Sequence, residues 1–167
     1  MTTSHPPVAA NGRLAAIGLE SKLPPAALVA IAASLMWFAA QNQASDFTLP
    51  ASLLCATTSV LAGALICLAG VLSFRRAKTT VNPMKPASVS TLVAWGVYRY
   101  SRNPMYLGFL LILLGWALWL SNVLAFVLLP AFVLYMNRFQ IRPEERALHS
   151  RFGRDYSEYQ ANVRRWL

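Results

Sequence analysis

Two short stretches of this chain gather side chains able to hold a charged small molecule. The first is Gly96-Val97-Tyr98-Arg99-Tyr100-Ser101-Arg102-Asn103-Pro104-Met105-Tyr106-Leu107-Gly108, which sets cations and tyrosines ahead of a long apolar run. Pro104 suits the first turn of a helix, where its missing N–H costs nothing, and Asn103 stands where an N-cap would. The free N–H groups of such a terminus, with the positive end of the helix dipole, favour a carboxylate or another anion. A plainer reading has Arg99 and Arg102 meeting lipid headgroups while Tyr98, Tyr100 and Tyr106 form an interfacial belt.

The second stretch opens with Arg142-Pro143-Glu144-Glu145, a helix start with proline and two acids in its first turn. Leu148 and Phe152 continue an apolar face, and Gly153 can end the helix in a left-handed conformation. A further short helix spaces Tyr156, Tyr159, Val163 and Trp166 by three, four and three residues, with Asp155 and Glu158 disposed as a D-x-x-E cap. Both helices read as amphipathic and lying on a membrane surface. Dipole compensation alone would also account for Glu144 and Glu145.

The elements that must position these stretches are membrane helices. Of 167 residues, 56% are hydrophobic and 13% charged, about half the charged share of a soluble domain, yet the net charge is +9. So apolar a chain is not read as a nucleic-acid binder despite its basicity. Charge-free runs extend over residues 23–45, 48–74 and 103–137. Each of the first two fits one span of about 20 residues. The third is too long for one helix and carries Ser121-Asn122 near its middle, so it reads as a hairpin of two arms of about 17 residues. Pro130, inside the second arm, is expected to kink it. Gly63 and Gly70 share one helical face, as do Gly108 and Gly115, and such residues let membrane helices approach closely.

The expected fold is therefore all-α and polytopic, with about four transmembrane helices followed by short amphipathic C-terminal helices. Residues 1–22 read as a flexible tail without a cleavable signal peptide, 23–74 as a transmembrane helix pair, and 75–167 as a second module of cytoplasmic loop, helical hairpin and interfacial C-terminal helices. All 15 lysines and arginines fall before the first span, between the second and third, or after the fourth. The positive-inside rule then puts both termini and the long 75–103 loop in the cytoplasm. A bacterial inner membrane or an endoplasmic reticulum membrane would satisfy that topology. Cys55 and Cys67 lie about 18 Å apart along one helix and cannot bridge. With only His5 and His149 besides, no zinc site is expected.

The first stretch, read as Gly96-x-Tyr98-x-x-x-Arg102-Asn103-Pro104-x-Tyr106-x-Gly108, resembles the R-H-P-x-Y-x-G signature of the isoprenylcysteine carboxyl methyltransferases. The pattern Glu144-Glu145-x-x-Leu148-x-x-x-Phe152-Gly153-x-x-Tyr156-x-x-Tyr159-x-x-x-Val163-x-Arg165 is similar to that family's closing segment. Phospholipid N-methyltransferases share the pattern, as do membrane sterol reductases more distantly. The resemblance implies methyl transfer from S-adenosylmethionine, held outside any Rossmann fold by Tyr98, Arg102, Asn103, Pro104, Tyr106, Leu107, Gly108, Glu144 and Glu145. It departs from the family at Asn103, where histidine is usual, so no titrating base stands there.

Transfer to a carboxylate or thiolate needs mainly alignment and desolvation, with Arg138 or Arg142 orienting the anion. An amine acceptor would need a base, for which Glu145, beside Glu144, is the candidate. The acceptor is expected to be a lipophilic small molecule or lipidated substrate: a prenylated cysteine, a phospholipid amine or a small thiol. The rival classes are an NADPH-dependent membrane reductase and a non-catalytic adaptor whose basic face binds membrane lipids. Oligomeric state is not encoded in these features.

Overall fold

The computed structural model describes residues 23–42, 52–77 and 91–167. Every regular element among them is helical: α1 (Pro25–Asn42), α2 (Ser52–Arg76), a 3-10 turn (Gly96–Arg99), α3 (Pro104–Leu120), α4 (Val123–Tyr135), a π-helical turn (Met136–Ile141), α5 (Arg142–Phe152) and α6 (Arg154–Asn162). The expected tail, the 46–49 loop and residues 78–90 of the 75–103 loop lie outside the described residues.

α1 and α2 are long and apolar enough to cross a bilayer, and so is the continuous run Val123–Phe152. α3 is shorter, at 17 residues, and apolar throughout. At 1.5 Å per residue it reaches about 26 Å, close to the thickness of a bilayer core. The last part of the Val123–Phe152 run is α5, whose Arg142, Glu144, Glu145, Arg146, His149 and Arg151 set it beyond the apolar span. The chain is thus a polytopic helical membrane protein, in agreement with the sequence.

The hairpin between α3 and α4 turns at Ser121, in the left-handed region with φ 51°, and at Asn122, whose buried side chain accepts the Leu124 N–H at 3.0 Å and caps α4. Helix continues through Pro130. The departure from α geometry comes later, at the π-helical turn that joins α4 to α5 without a break. Nothing in the side-chain pattern announced that turn, and π-turns often accompany functional sites. Here it directs buried Gln140 to donate to the Leu23 carbonyl at 2.8 Å, tying the start of α1 to the same end of the bundle.

The most intimate contact is between α2 and α3, which run antiparallel. A Cβ built on Gly63 would lie 2.5 Å from the Gly108 carbonyl oxygen, and one on Gly115 would lie 2.7 Å from that of Ala56. Gly70 meets Met105 in the same way. The four glycines thus form one seam, closed further by Ser59 donating to the Leu111 carbonyl at 2.8 Å and the Cys67 thiol to that of Met105 at 3.3 Å. α1 covers α3 and α4, burying Met36 with Leu113, Ala117, Ala125 and Phe132. At the far end Trp37, Trp116 and Trp119 stack on one another, and Trp116 donates to the Ala33 carbonyl at 3.1 Å.

Candidate active site

Because α2 and α3 are antiparallel and α4 returns beside α3, one end of the bundle collects the 3-10 turn, the start of α3 and the π-turn. The described arginines sit at this end or on α5 and α6 beyond it. α5 and α6 fold back over the start of α3. Gly153, with φ 51°, makes the turn between them. Glu158 pairs with Arg154 at 2.9 Å instead of joining Asp155 in a capping box, because α6 begins at Arg154 with Gly153 as its N-cap.

Two glutamates at adjacent positions on α5 point to different partners. Glu144 accepts the hydroxyl hydrogen of buried Tyr106, one turn into α3, at 2.5 Å. Glu145 is gripped by the fork of Arg165, with Nε at 3.0 Å from Oε1 and Nη2 at 2.6 Å from Oε2. Arg102 Nη2 approaches the same carboxylate at 3.4 Å. The Arg102 side chain is only 13% exposed, and its Nε and Nη1 are buried with no hydrogen-bond partner. Two unsatisfied donors on a buried guanidinium are costly unless an acceptor meets them.

Asn103 does not cap α3 with its side chain. Its Nδ2 donates instead to the Arg165 carbonyl at 3.0 Å, which leaves the first-turn N–H groups of α3 without a side-chain acceptor. The Ser101 hydroxyl takes over part of the local work, accepting the Asn103 N–H at 3.1 Å. Tyr98, in the 3-10 turn, is buried edge-on against Phe74, and its carbonyl accepts the Tyr159 hydroxyl at 2.7 Å. Burial, with Tyr159 and Glu144 nearby, holds the Tyr98 hydroxyl protonated far above the usual tyrosine range. Burial first, then the Glu145 charge, pushes the Tyr156 hydroxyl up to about 12, although Arg102 beside it opposes the shift. The bond to Glu145 likewise strengthens the proton hold of Arg165.

The structure therefore brings together Tyr98, Arg102, Asn103, Tyr106, Glu144 and Glu145. Pro104 is buried at the helix start and Leu107 half-buried behind it. Gly108 faces the other way, into the seam with α2. Arg138 and Arg142 are exposed, the first on the π-turn with its guanidinium 5.5 Å from the Phe139 ring centre, the second at the start of α5. An open cavity of about 350 Å³ is lined by Arg142, Glu145, Arg146, His149 and Gln160. Among the described residues no cluster of metal-ligating side chains occurs. Sequence reasoning gave Ser101 and Asn137 no role, gave Arg165 none beyond its place in the closing pattern, and put Val163 and Trp166 on the last helix, which instead ends at Asn162 so that both lie in the segment after it.

The phospholipid methyltransferase family model matches residues 51–155, which takes in α2, the approach to α3, the hairpin and α5. The chain belongs to the phospholipid methyltransferase family. Membership places it among membrane methyltransferases, and within the family it is similar to proteins named for isoprenylcysteine. A rice (Oryza sativa subsp. indica) protein named "Probable protein-S-isoprenylcysteine O-methyltransferase" is 36% identical over 107 residues, covering 62% of this chain and 54% of that protein. The Saccharomyces cerevisiae protein-S-isoprenylcysteine O-methyltransferase is 39% identical over 82 residues, covering 47% and 33%. An uncharacterised Haemophilus influenzae protein is 54% identical over 63 residues, 38% of this chain and all of that protein. The match therefore spans about half the length of the rice protein and a third of the yeast one. No solved structure matches the chain significantly.

Proposed function

We propose that this protein transfers a methyl group from S-adenosylmethionine to a lipophilic acceptor that reaches the site sideways from the bilayer, at a cytoplasmic face. The observation that carries this reading is the buried Arg102 guanidinium, with Nε and Nη1 unpartnered beside a helix start that lacks a side-chain cap. Those donors fit the carboxylate of the cofactor's amino-acid end. Glu144 offers a carboxylate for the ammonium or ribose hydroxyls, and the surrounding tyrosines offer apolar faces for adenine and the sulfonium. When bound, S-adenosylmethionine supplies an activated methyl group; the chain's own residues orient it, exclude water and position the acceptor.

The acceptor class follows from what the glutamates are already doing. Glu145 already has both oxygens engaged by guanidinium groups, which leaves none free to meet an acceptor's proton. A carboxylate or thiolate needs no base, and Arg138 and Arg142 at the same end can orient such an anion. Carboxyl O-methylation of a prenylated cysteine is accordingly the first choice, in keeping with the names of the rice and yeast relatives. S-methylation of a small thiol is chemically close. N-methylation of a phospholipid amine, favoured by the family's name, would have to use Glu144 as the base.

The test is methyl incorporation from labelled S-adenosylmethionine by the purified protein in lipid nanodiscs. A prenylated cysteine analogue, an apolar thiol and phosphatidylethanolamine are offered separately, with cofactor and NADPH binding measured in parallel. Transfer to the first at rates well above the others supports the reading. NADPH binding without S-adenosylmethionine binding would move the protein to a reductase. Binding of neither, with anionic-lipid binding retained, would make it an adaptor.

A further inference from the structure

Residues 163–166 leave α6 through Val163, itself extended at φ −127° and ψ 130°, and lie across the start of α3. The Arg102 N–H donates to the Arg164 carbonyl at 3.0 Å. The Arg165 carbonyl receives Asn103 Nδ2 at 3.0 Å and the Ser101 hydroxyl at 3.5 Å. Trp166 Nε1 donates to Asn137 Oδ1, on the π-turn, at 3.1 Å. Three consecutive residues thus bind both sequence stretches and the turn between them. Arg165 does so at two ends, holding Asn103 with its backbone and Glu145 with its side chain.

We infer that Arg165 is a positioning residue that keeps Arg102 available to an anionic ligand by competing with it for Glu145. This rests on the methyl-donor reading above. Arg102 and Glu145 are 13% and 14% exposed, whereas Arg165 is 34% exposed. In so enclosed a place a carboxylate with one cation near it turns fully onto that cation. Arg165 takes both oxygens of Glu145 in the geometry that suits a guanidinium and leaves Arg102 only a 3.4 Å contact through Nη2. The other two Arg102 nitrogens remain unspent. Without Arg165, Glu145 would swing onto Arg102 and neutralise the group meant for the ligand's carboxylate. Lysine in its place would keep the charge but lose the two-point grip.

The experiment compares two ligands that differ in the group Arg102 would meet. S-adenosylhomocysteine carries the amino-acid end, with its carboxylate and ammonium; 5′-methylthioadenosine has the same nucleoside and thioether but lacks both groups. Dissociation constants are measured on the full chain in detergent for the parent, Arg165→Gln and Arg165→Lys, with thermal unfolding alongside. The parent is expected to bind both. Arg165→Gln should lose roughly ten- to a hundredfold for S-adenosylhomocysteine, the size of a lost charge-assisted bond, and under about threefold for 5′-methylthioadenosine. Arg165→Lys should fall between, and it answers the question if the Gln variant does not fold. Equal losses for both ligands would make Arg165 merely structural, and no loss for either would leave it without a role in the site; each overturns the inference. If the parent itself binds neither nucleoside, the methyl-donor reading fails first and this inference goes with it.

Discussion

The Tyr106 hydroxyl donates to Glu144 at 2.5 Å, joining the first turns of α3 and α5, while Glu145 beside it is given over to arginines. Adjacent identical residues therefore have separable duties. Tyr106→Phe leaves a half-buried carboxylate short of a donor and should cost about 1–3 kcal/mol of stability. The fold should survive. A Tyr106→Phe protein as resistant to denaturant as the parent would show that the bond carries no weight.

Glu145→Gln should be worse for stability than Glu144→Gln. The first removes the charge that two guanidinium groups share; the second leaves an amide that still accepts from Tyr106. Discounted for the partial exposure of Arg165, the expected gap is about 1–2 kcal/mol. For activity with a carboxylate acceptor, Glu144→Gln should weaken the apparent affinity for the methyl donor about tenfold while kcat changes little. A large kcat loss with unchanged KM would instead mark Glu144 as a base and favour an amine acceptor.

Asn103 stands where the related enzymes usually carry histidine, and its observed task is to donate one hydrogen bond to the Arg165 carbonyl. A histidine ring N–H can do the same. Asn103→His should keep methyl transfer within about threefold of the parent across neutral pH, and Asn103→Leu should lose about 1–3 kcal/mol of stability by leaving that carbonyl only the long contact from Ser101. A new pH dependence in the histidine variant, with a midpoint in the imidazole range, would contradict a purely structural role.

Most of the architecture was legible because bilayer thickness and charge distribution are strong constraints, from which the spans and the Ser121-Asn122 turn follow, while the break at Gly153 follows from glycine's tolerance of positive φ. The π-turn was not, because Met136 to Ile141 carry nothing that distinguishes a π-turn from another turn of α-helix. The candidate site was legible in membership but not in pairing. That Glu144 and Glu145 are both near the arginine-proline turn follows from the family pattern. Which of them meets Tyr106 and which Arg165 depends on how α5 rolls over α3, and the π-turn fixes that roll. Asn103 was misread as a side-chain cap because local propensity favours caps, whereas the strap at Arg165 offers a carbonyl from 62 residues away.

The α2–α3 seam has no spare room at Gly63 and Gly108, each of which presents its carbonyl within about 2.6 Å of where the other's Cβ would stand. Gly63→Leu should force the helices apart at a cost of about 1–3 kcal/mol or more. Because α3 carries Arg102 and Tyr106 at its start, methyl-donor affinity should fall together with the unfolding temperature. Substituting Ala64, exposed on the same helix, by leucine makes the control and should change neither. Comparable behaviour of the two variants would mean the seam is looser than its geometry states.

The described arginines and the candidate site share one end of the bundle, so the side on which that end lies decides which acceptors can reach it. In a background with Cys55 and Cys67 replaced by alanine, Ser150→Cys reports from exposed α5 and Val123→Cys from the opposite end. With the site cytoplasmic, a membrane-impermeant maleimide should label Ser150→Cys only in inverted vesicles and Val123→Cys only in right-side-out ones. The reverse pattern would put the arginines outside, against the charge rule, and would exclude acceptors made and held in the cytoplasmic leaflet. Labelling of both positions from one side would mean an even number of crossings between them, that is, none. That would require α4 to stop short of spanning, and the hairpin would then be a re-entrant element instead of the third and fourth helices of a four-helix bundle.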